Sequence, residues 1–140
     1  MPNAVDVDAY APARQEQEAT FDLEAPVELL YMGSFGCQPN VDAALELVEE
    51  ILPALRRLGA RARLTLVGRG PTPEMERLAA DDPDIEVTGS VPSMLPFLFR
   101  PGLMPVPLRQ GSGTRLKVLE AFAAGCAVVS TAKGVEGIAL

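Results

Sequence analysis

Histidine does not occur in this 140-residue chain. Its absence excludes a His-based catalytic triad and any His-ligated metal site, so no metal is expected. Cysteine is scarce too. Cys37 and Cys126 stand far apart, each in or beside an apolar segment. They read as two buried, reduced thiols, against the alternatives of a disulfide or a nucleophile. Long hydrophobic runs are lacking: none approaches the roughly 18 residues of a membrane-spanning helix. The polar, acidic start Met1-Pro2-Asn3-Ala4-Val5-Asp6 is unlike a secretory signal, and a cytoplasmic location is the expectation. Positive charge is in deficit, with 12 Lys and Arg against 19 Asp and Glu for a net charge of −7. Nonspecific nucleic-acid binding depends on neutralising phosphates with cations, so nucleic acid is not an expected partner. A small basic site on an acidic surface stays compatible with that balance.

What is present fits one compact α/β domain. Hydrophobic residues make up 48% of the chain and charged ones 22%, enough apolar surface for a core. Proline and glycine fall mostly at segment junctions, where they punctuate turns. Residues 1–26 read as a lead-in broken by Pro2, Pro12 and Pro26. From residue 27 to residue 140, short β-type runs alternate with segments of helical period. Strands are expected over 27–32, 63–67, 85–88, 104–108 and 127–131. Between 40 and 58, Val41, Ala44, Leu45, Val48, Ile51, Leu52 and Leu55 mark one amphipathic helix. Asn40 suits its N-cap, Gly59 its stop, and Pro53 a kink or split. Further helical pieces are expected over 73–80, 92–99 and 114–124. Such alternation specifies a Rossmann-like, three-layer α/β domain with a parallel sheet of about five strands.

Parallel sheets of this kind bind ligands at the carboxyl ends of their strands, beside the reversal in strand order. Candidate site residues therefore lie in the turns 33–36, 68–71, 89–91, 109–117 and 131–137. All five of these turns begin with or contain Gly, which lets a ligand approach the backbone, although α/β proteins carry Gly in such turns without any ligand.

The stretch from Pro107 to Gly125 carries the most chemistry. A strand runs into Gly111-Ser112-Gly113-Thr114, and a helix is expected to open there. Free backbone N–H groups at a helix start make an anion site. Arg109, Arg115 and Lys117 place three cations within nine residues of an acidic chain, a combination suited to a diphosphate. Glu120 falls about 9 Å further along the helix axis than Thr114. At that distance a carboxylate can accept hydrogen bonds from ribose hydroxyls; the plain alternative is a surface pair with Lys117. Leu116, Leu119 and Ala123 are expected to form the apolar stripe toward the sheet. The loop is not a P-loop, because the Gly-x4-Gly-Lys-Ser/Thr order is absent.

An ordered series of segments resembles the C-terminal domain of GT-B glycosyltransferases, specifically the retaining group called family 4. Pro2-Asn3-Ala4-Val5-Asp6 is similar to the family's interdomain entry. Tyr31-Met32-Gly33-Ser34 and Pro39-Asn40-Val41-Asp42 resemble its first strand and helix, Leu66 to Pro71 its second strand, and Val87 to Val91 its third. Pro107-Leu108-Arg109 through Glu120 to Gly125, then Val128 to Thr131, complete the set. The resemblance implies a donor domain that binds a nucleoside diphosphate sugar as substrate, with no cofactor. It places Glu120 on the ribose, as the second Glu of a Glu-x7-Glu motif. Gly113 and Thr114 then lie near the diphosphate and sugar, Val91 near the base, and Gly33 opposite the phosphates. It also implies a separate N-terminal acceptor domain outside this chain, carrying any peripheral membrane contact, and a continuation past Leu140.

Two departures stand out. The first Glu of Glu-x7-Glu falls on Ser112, and the family's usual basic pair is replaced near Ser34 and Asn40. Arg115 and Lys117 are candidates to supply that charge. Three function classes follow: the donor half of a retaining glycosyltransferase, inactive alone; a non-catalytic nucleotide-binding module or truncated remnant; and a flavodoxin-like signalling receiver. The last needs acidic residues where the chain has Gly33-Ser34 and Gly89-Ser90.

Overall fold

A computed structural model describes residues 4–19, 24–100, 102–111 and 115–139. Five strands form one sheet: β1 (Val27–Met32), β2 (Ala62–Val67), β3 (Ile85–Val87), β4 (Leu103–Val106) and β5 (Ala127–Ser130). Every pairing is parallel, in the order β3-β2-β1-β4-β5. β1 is the centre, and Leu29 to Met32 are buried in succession. A strand buried on both faces is the mark of a sheet covered by helices on each side. The strand order reverses between β1 and β4, which differs from the 2-1-3-4-5 order of flavodoxin-like receivers and removes that reading.

Helices α1 (Ala11–Ala19), α2 (Gln38–Glu46), α3 (Leu52–Arg57), α4 (Pro73–Asp81), α5 (Leu95–Leu98) and α6 (Leu116–Ala123) connect and flank the strands. The long helix expected over 40–58 is three pieces, because a wider π-type turn, Leu47–Ile51, separates α2 from α3. Pro53 has no N–H, and its ring crowds the carbonyl four residues earlier, so the wider turn relieves the conflict just before it. The helix also opens earlier than expected. Cys37, in extended backbone, is its N-cap, and Pro39 occupies the first turn, where a missing N–H costs nothing. Asn40 is therefore not a cap. Gly59 does end the helix: its φ is +88°, its N–H reaches Arg56 O at 3.0 Å, and Ala60 N–H reaches Leu55 O at 3.1 Å. That pair of bonds is a Schellman closure.

Other expectations shift as well. The lead-in contains a 3-10 turn, Val7–Tyr10, and α1, with Pro12 tolerated in the first helical turn. Ala13 is fully buried, and Arg14 Nη1 donates to Ala123 O of α6 at 3.4 Å. Helix α6 begins at Leu116 rather than Thr114, with Arg115 as its cap residue. Its buried stripe is Val118, Ala121 and Ala124, with Ala123 beside them, while Leu116 is 43% exposed. Alanines allow closer approach to the sheet than leucines do, and both stripes have the same period, so packing rather than period selects between them. Cys37 is exposed at its turn, against the expected burial, and Cys126 is buried; both are free. Burial pushes the Cys126 thiol up to about 11. No helix among the described residues is long and apolar enough to cross a membrane.

Where β1 and β2 leave the sheet, a β-carbon on Gly68 would collide with the carbonyl oxygen of Gly33. Gly68→Ala should therefore lower stability by more than the ~1–3 kcal/mol of ordinary overpacking. Gly59→Ala, where nothing lies within 4 Å of the added carbon, should cost only the ~1–2 kcal/mol of a left-handed backbone. Urea unfolding of the two variants makes the comparison, and equal losses would mean the two turns can separate freely. A water-soluble disulfide reagent should meet one fast thiol in the native protein and a second only after unfolding.

Candidate functional site

The carboxyl edge of the sheet is organised around the turn after β1. Gly33 N–H donates to Val67 O at 3.0 Å and Phe35 N–H to Arg69 O at 2.9 Å. The β1–β2 ladder thus continues two residues past the strands and keeps both turns level. Asn40 lies over Gly33, so close that a β-carbon there would stand 2.9 Å from Asn40 Cγ. Asn40 Nδ2 donates to Ser34 O at 2.9 Å. Its Oδ1 accepts from Tyr31 Oη at 2.7 Å and from Lys117 Nζ at 2.9 Å. Lys117 Nζ also donates to Tyr31 Oη at 3.1 Å and sits 4.3 Å from the Tyr31 ring centroid.

Lys117 thus reaches the strand-order reversal from α6 and finds only neutral oxygens and a ring face. Burial, followed by the nearby charge of Arg115, lowers its pKa from 10.5 to about 8. Burial also raises the Tyr31 hydroxyl above its ordinary value, so Tyr31 keeps its proton and donates it to Asn40. The ammonium is held without a carboxylate, a poor resting state for a buried cation and a favourable one for receiving an anion.

The other expected residues divide. Arg115 is buried, its Nε donates to Lys133 O at 3.4 Å, and its guanidinium lies against Gly111. It ties the loop after β4 to the turn after β5. Glu120 is half-buried and accepts from Tyr10 Oη at 3.0 Å, so it does not form the surface pair with Lys117. Burial and then the Glu120 carboxylate raise the Tyr10 pKa. Arg109 is not drawn into the cluster. Its side chain is 70% exposed and grips Glu46 through two bonds of 2.6 and 3.1 Å. Val91 is half-buried in the turn after β3, two strands and about 10 Å from β1. Ser112, Gly113 and Thr114 lie outside the described residues. Gly111 and Arg115, on either side of them, sit between β4 and α6 on the carboxyl edge.

Ser34 and Arg69 fall within the expected turns 33–36 and 68–71 without a role of their own, Asn40 is expected only as a cap, and Tyr31 only as part of the first strand. Tyr31 ends an apolar strand and reads as core; only its hydroxyl, aimed at the edge, distinguishes it. Among the described residues no cluster of three or more Asp, Glu or Cys could hold a metal.

A family model described as glycosyl transferases group 1 matches residues 26–139. No curated protein matches the chain. Among solved structures, the chain is similar to the C-terminal domain of a group 1 glycosyl transferase family protein (LpcC) from Francisella tularensis. The identity is 16%, the match covers 96% of this chain and 74% of that one, and the TM-score is 0.61. At that identity the likeness shows the fold.

The depressed Lys117 value fixes a pH dependence. Between about 8 and 10.5 the unfolded chain holds a proton that the folded chain has released, so stability rises with pH in that window. Cys126 and Tyr31, raised by burial, act in the opposite sense, and comparison with Lys117→Met removes them. The stability of wild type relative to Lys117→Met should climb by at most about 3 kcal/mol across the window, measured by urea unfolding at a series of pH values. A flat difference would mean the ammonium is solvated.

Proposed function

We propose that this chain, which belongs to the glycosyl transferase group 1 family, is the donor-binding domain of a retaining, family 4-like glycosyltransferase. Glycosyl transfer is the family's reaction class. The finer reading is that a nucleoside diphosphate sugar occupies the carboxyl edge at the β1/β4 reversal. The observation that carries it is Lys117, a cation held by Tyr31 and Asn40 with no carboxylate in hydrogen-bond contact, one turn before Glu120. A diphosphate at Lys117 would leave the ribose within reach of Glu120, and the base would extend toward Val91.

In this reading Lys117, the loop 111–114 and the start of α6 stabilise charge on the departing diphosphate. The donor's own phosphate accepts the acceptor proton, so no protein nucleophile is needed. Gly33 sets the turn that faces the phosphates, with Asn40 packed over it. Arg115 acts by fixing the loop. Arg109 contributes only if it leaves Glu46. Ribose binding must share or displace the bond from Tyr10 to Glu120. The acceptor is held by a separate domain, and the protein works in the cytoplasm. A second reading, a module that binds nucleotide without transfer, draws on Ser112 standing where the family carries a Glu toward the donor sugar.

Calorimetric titration tests the site. Uridine, guanosine and adenosine, each with its diphosphate, would be titrated into wild type, Glu120→Gln and Lys117→Ala. Glu120→Gln should weaken nucleoside and diphosphate alike by about ten- to a hundredfold, the value of ~1.5–3 kcal/mol for bonds to a charged group. Lys117→Ala should weaken the diphosphate far more than the nucleoside, and less so as salt rises. Unchanged affinity in Glu120→Gln would remove the carboxylate from the site.

A further inference from the structure

We propose that Arg69 is the second cation of the phosphate site, acting from the β2 side of the β1 turn while Lys117 acts from the α6 side. This rests on the donor-site reading and adds to it a residue and a direction: the diphosphate lies at the turn after β1, between the two cations.

Charge pairing divides the cations of this acidic protein. Arg56, Arg63, Arg77, Arg100, Arg109 and Lys133 each sit within ion-pair distance of a carboxylate. Arg69 forms no ion pair with any described residue. It is exposed in the turn after β2, and its Nε donates to Ser34 Oγ at 3.2 Å. Among the described residues no acceptor takes its terminal nitrogens, so the planar fork that suits phosphate remains available.

Arg69 and Lys117 are also joined by neutral groups only. Arg69 holds the hydroxyl of Ser34, Asn40 holds the carbonyl of Ser34, and Lys117 holds the other end of the Asn40 amide. Two cations therefore flank one short turn with no counterion within that chain. A diphosphate carries enough charge for both. The surface between them is bare of side chains on the β2 side: a β-carbon on Gly70 would stand 3.7 Å from Gly36 N, so these turns run side by side, backbone to backbone. An anion can approach the main chain there as well as the two side chains.

The test titrates nucleoside, nucleoside monophosphate and nucleoside diphosphate of the preferred base into the full chain and its variants Arg69→Ala, Arg69→Lys and Arg57→Ala. Arg57 is an exposed arginine at the end of α3, away from this edge. Arg69→Ala should weaken the diphosphate about tenfold or more, the scale of a lost charge-assisted bond, and leave the nucleoside within about twofold of wild type. Arg69→Lys should recover part of the loss, and the difference should shrink with added salt. Arg57→Ala should change nothing. Unchanged diphosphate affinity in Arg69→Ala overturns the inference, and so does an equal loss in Arg57→Ala, which would point to the general field of the protein. If Lys117→Ala and Glu120→Gln still weaken binding in that case, the donor-site reading stands without Arg69. A wild-type chain that binds no nucleotide overturns both. Thermal unfolding of each variant separates lost binding from lost structure.

Discussion

Gly33 and Gly68 meet backbone against backbone where β1 and β2 leave the sheet, in a space with no room for a β-carbon on Gly68. Because neither carries a side chain, the parallel ladder runs on through Gly33 N–H to Val67 O and Phe35 N–H to Arg69 O. That extension decides where the first two turns go. It holds Ser34 beside Arg69 and brings the start of α2 back over β1, so that Asn40 covers Gly33. Once Asn40 is there, its amide oxygen becomes the acceptor that Tyr31 and Lys117 share. A bulkier residue at either position would push the turns apart and break the chain of bonds from Arg69 to Lys117. The edge chemistry is thus a consequence of a packing limit between two main chains.

The electrostatics follow the same geometry. Arg56, Arg63, Arg77, Arg100, Arg109 and Lys133 face carboxylates. At the turn after β1, Arg69 and Lys117 instead meet the hydroxyl and amide groups of the elements converging there. Tyr31 is the clearest case: its ring belongs to the core of the central strand, and its hydroxyl ends in the site. Burial raises the tyrosine and lowers the lysine, so both changes disfavour charge inside the protein. Lys117 still carries its proton at neutral pH, since a value of about 8 lies above it. An anion at this position would stabilise the charged form, so its binding would be accompanied by proton uptake near and above that pH.

Legibility from sequence tracked how local each determinant is. Strand-helix alternation is written in periods of two and nearly four, and all five strands fall within a residue or two of their expected bounds. The Schellman stop at Gly59 and the conflict at Pro53 are local too. Determinants that depend on packing were less visible. The stripe of α6 could be drawn through Leu116 or through Val118 with equal periodicity, and only the closeness of the sheet selects the alanines. Cys37 looked buried because its neighbours are small, yet it caps a helix at the surface. Arg109 stood next to the expected loop, but Glu46, 63 residues earlier, holds it aside. Arg69 was one residue in a glycine turn, and nothing near it in sequence marks Ser34 as its partner. The helix in residues 11–19 was obscured by Pro12, which the first turn tolerates.

That helix bears on the site through α6. Arg14 holds the carbonyl of Ala123 at the end of α6, and Tyr10 holds the Glu120 carboxylate about one turn from its start. Arg115, at the other end, is tied to the turn after β5. Helix α6 is therefore fixed at both ends by segments far from it in sequence, and it carries Lys117 and Glu120 between them. If ribose hydroxyls donate hydrogen bonds to Glu120, they meet a carboxylate already oriented by Tyr10. A ligand that uses only the second oxygen benefits from that orientation; one that needs both must release the tyrosine. In the second case nucleotide binding and docking of the 7–19 segment oppose each other, and linkage makes the penalty the same in either direction. The position of the 7–19 segment and the occupancy of a site that includes Glu120 are then two readings of one equilibrium.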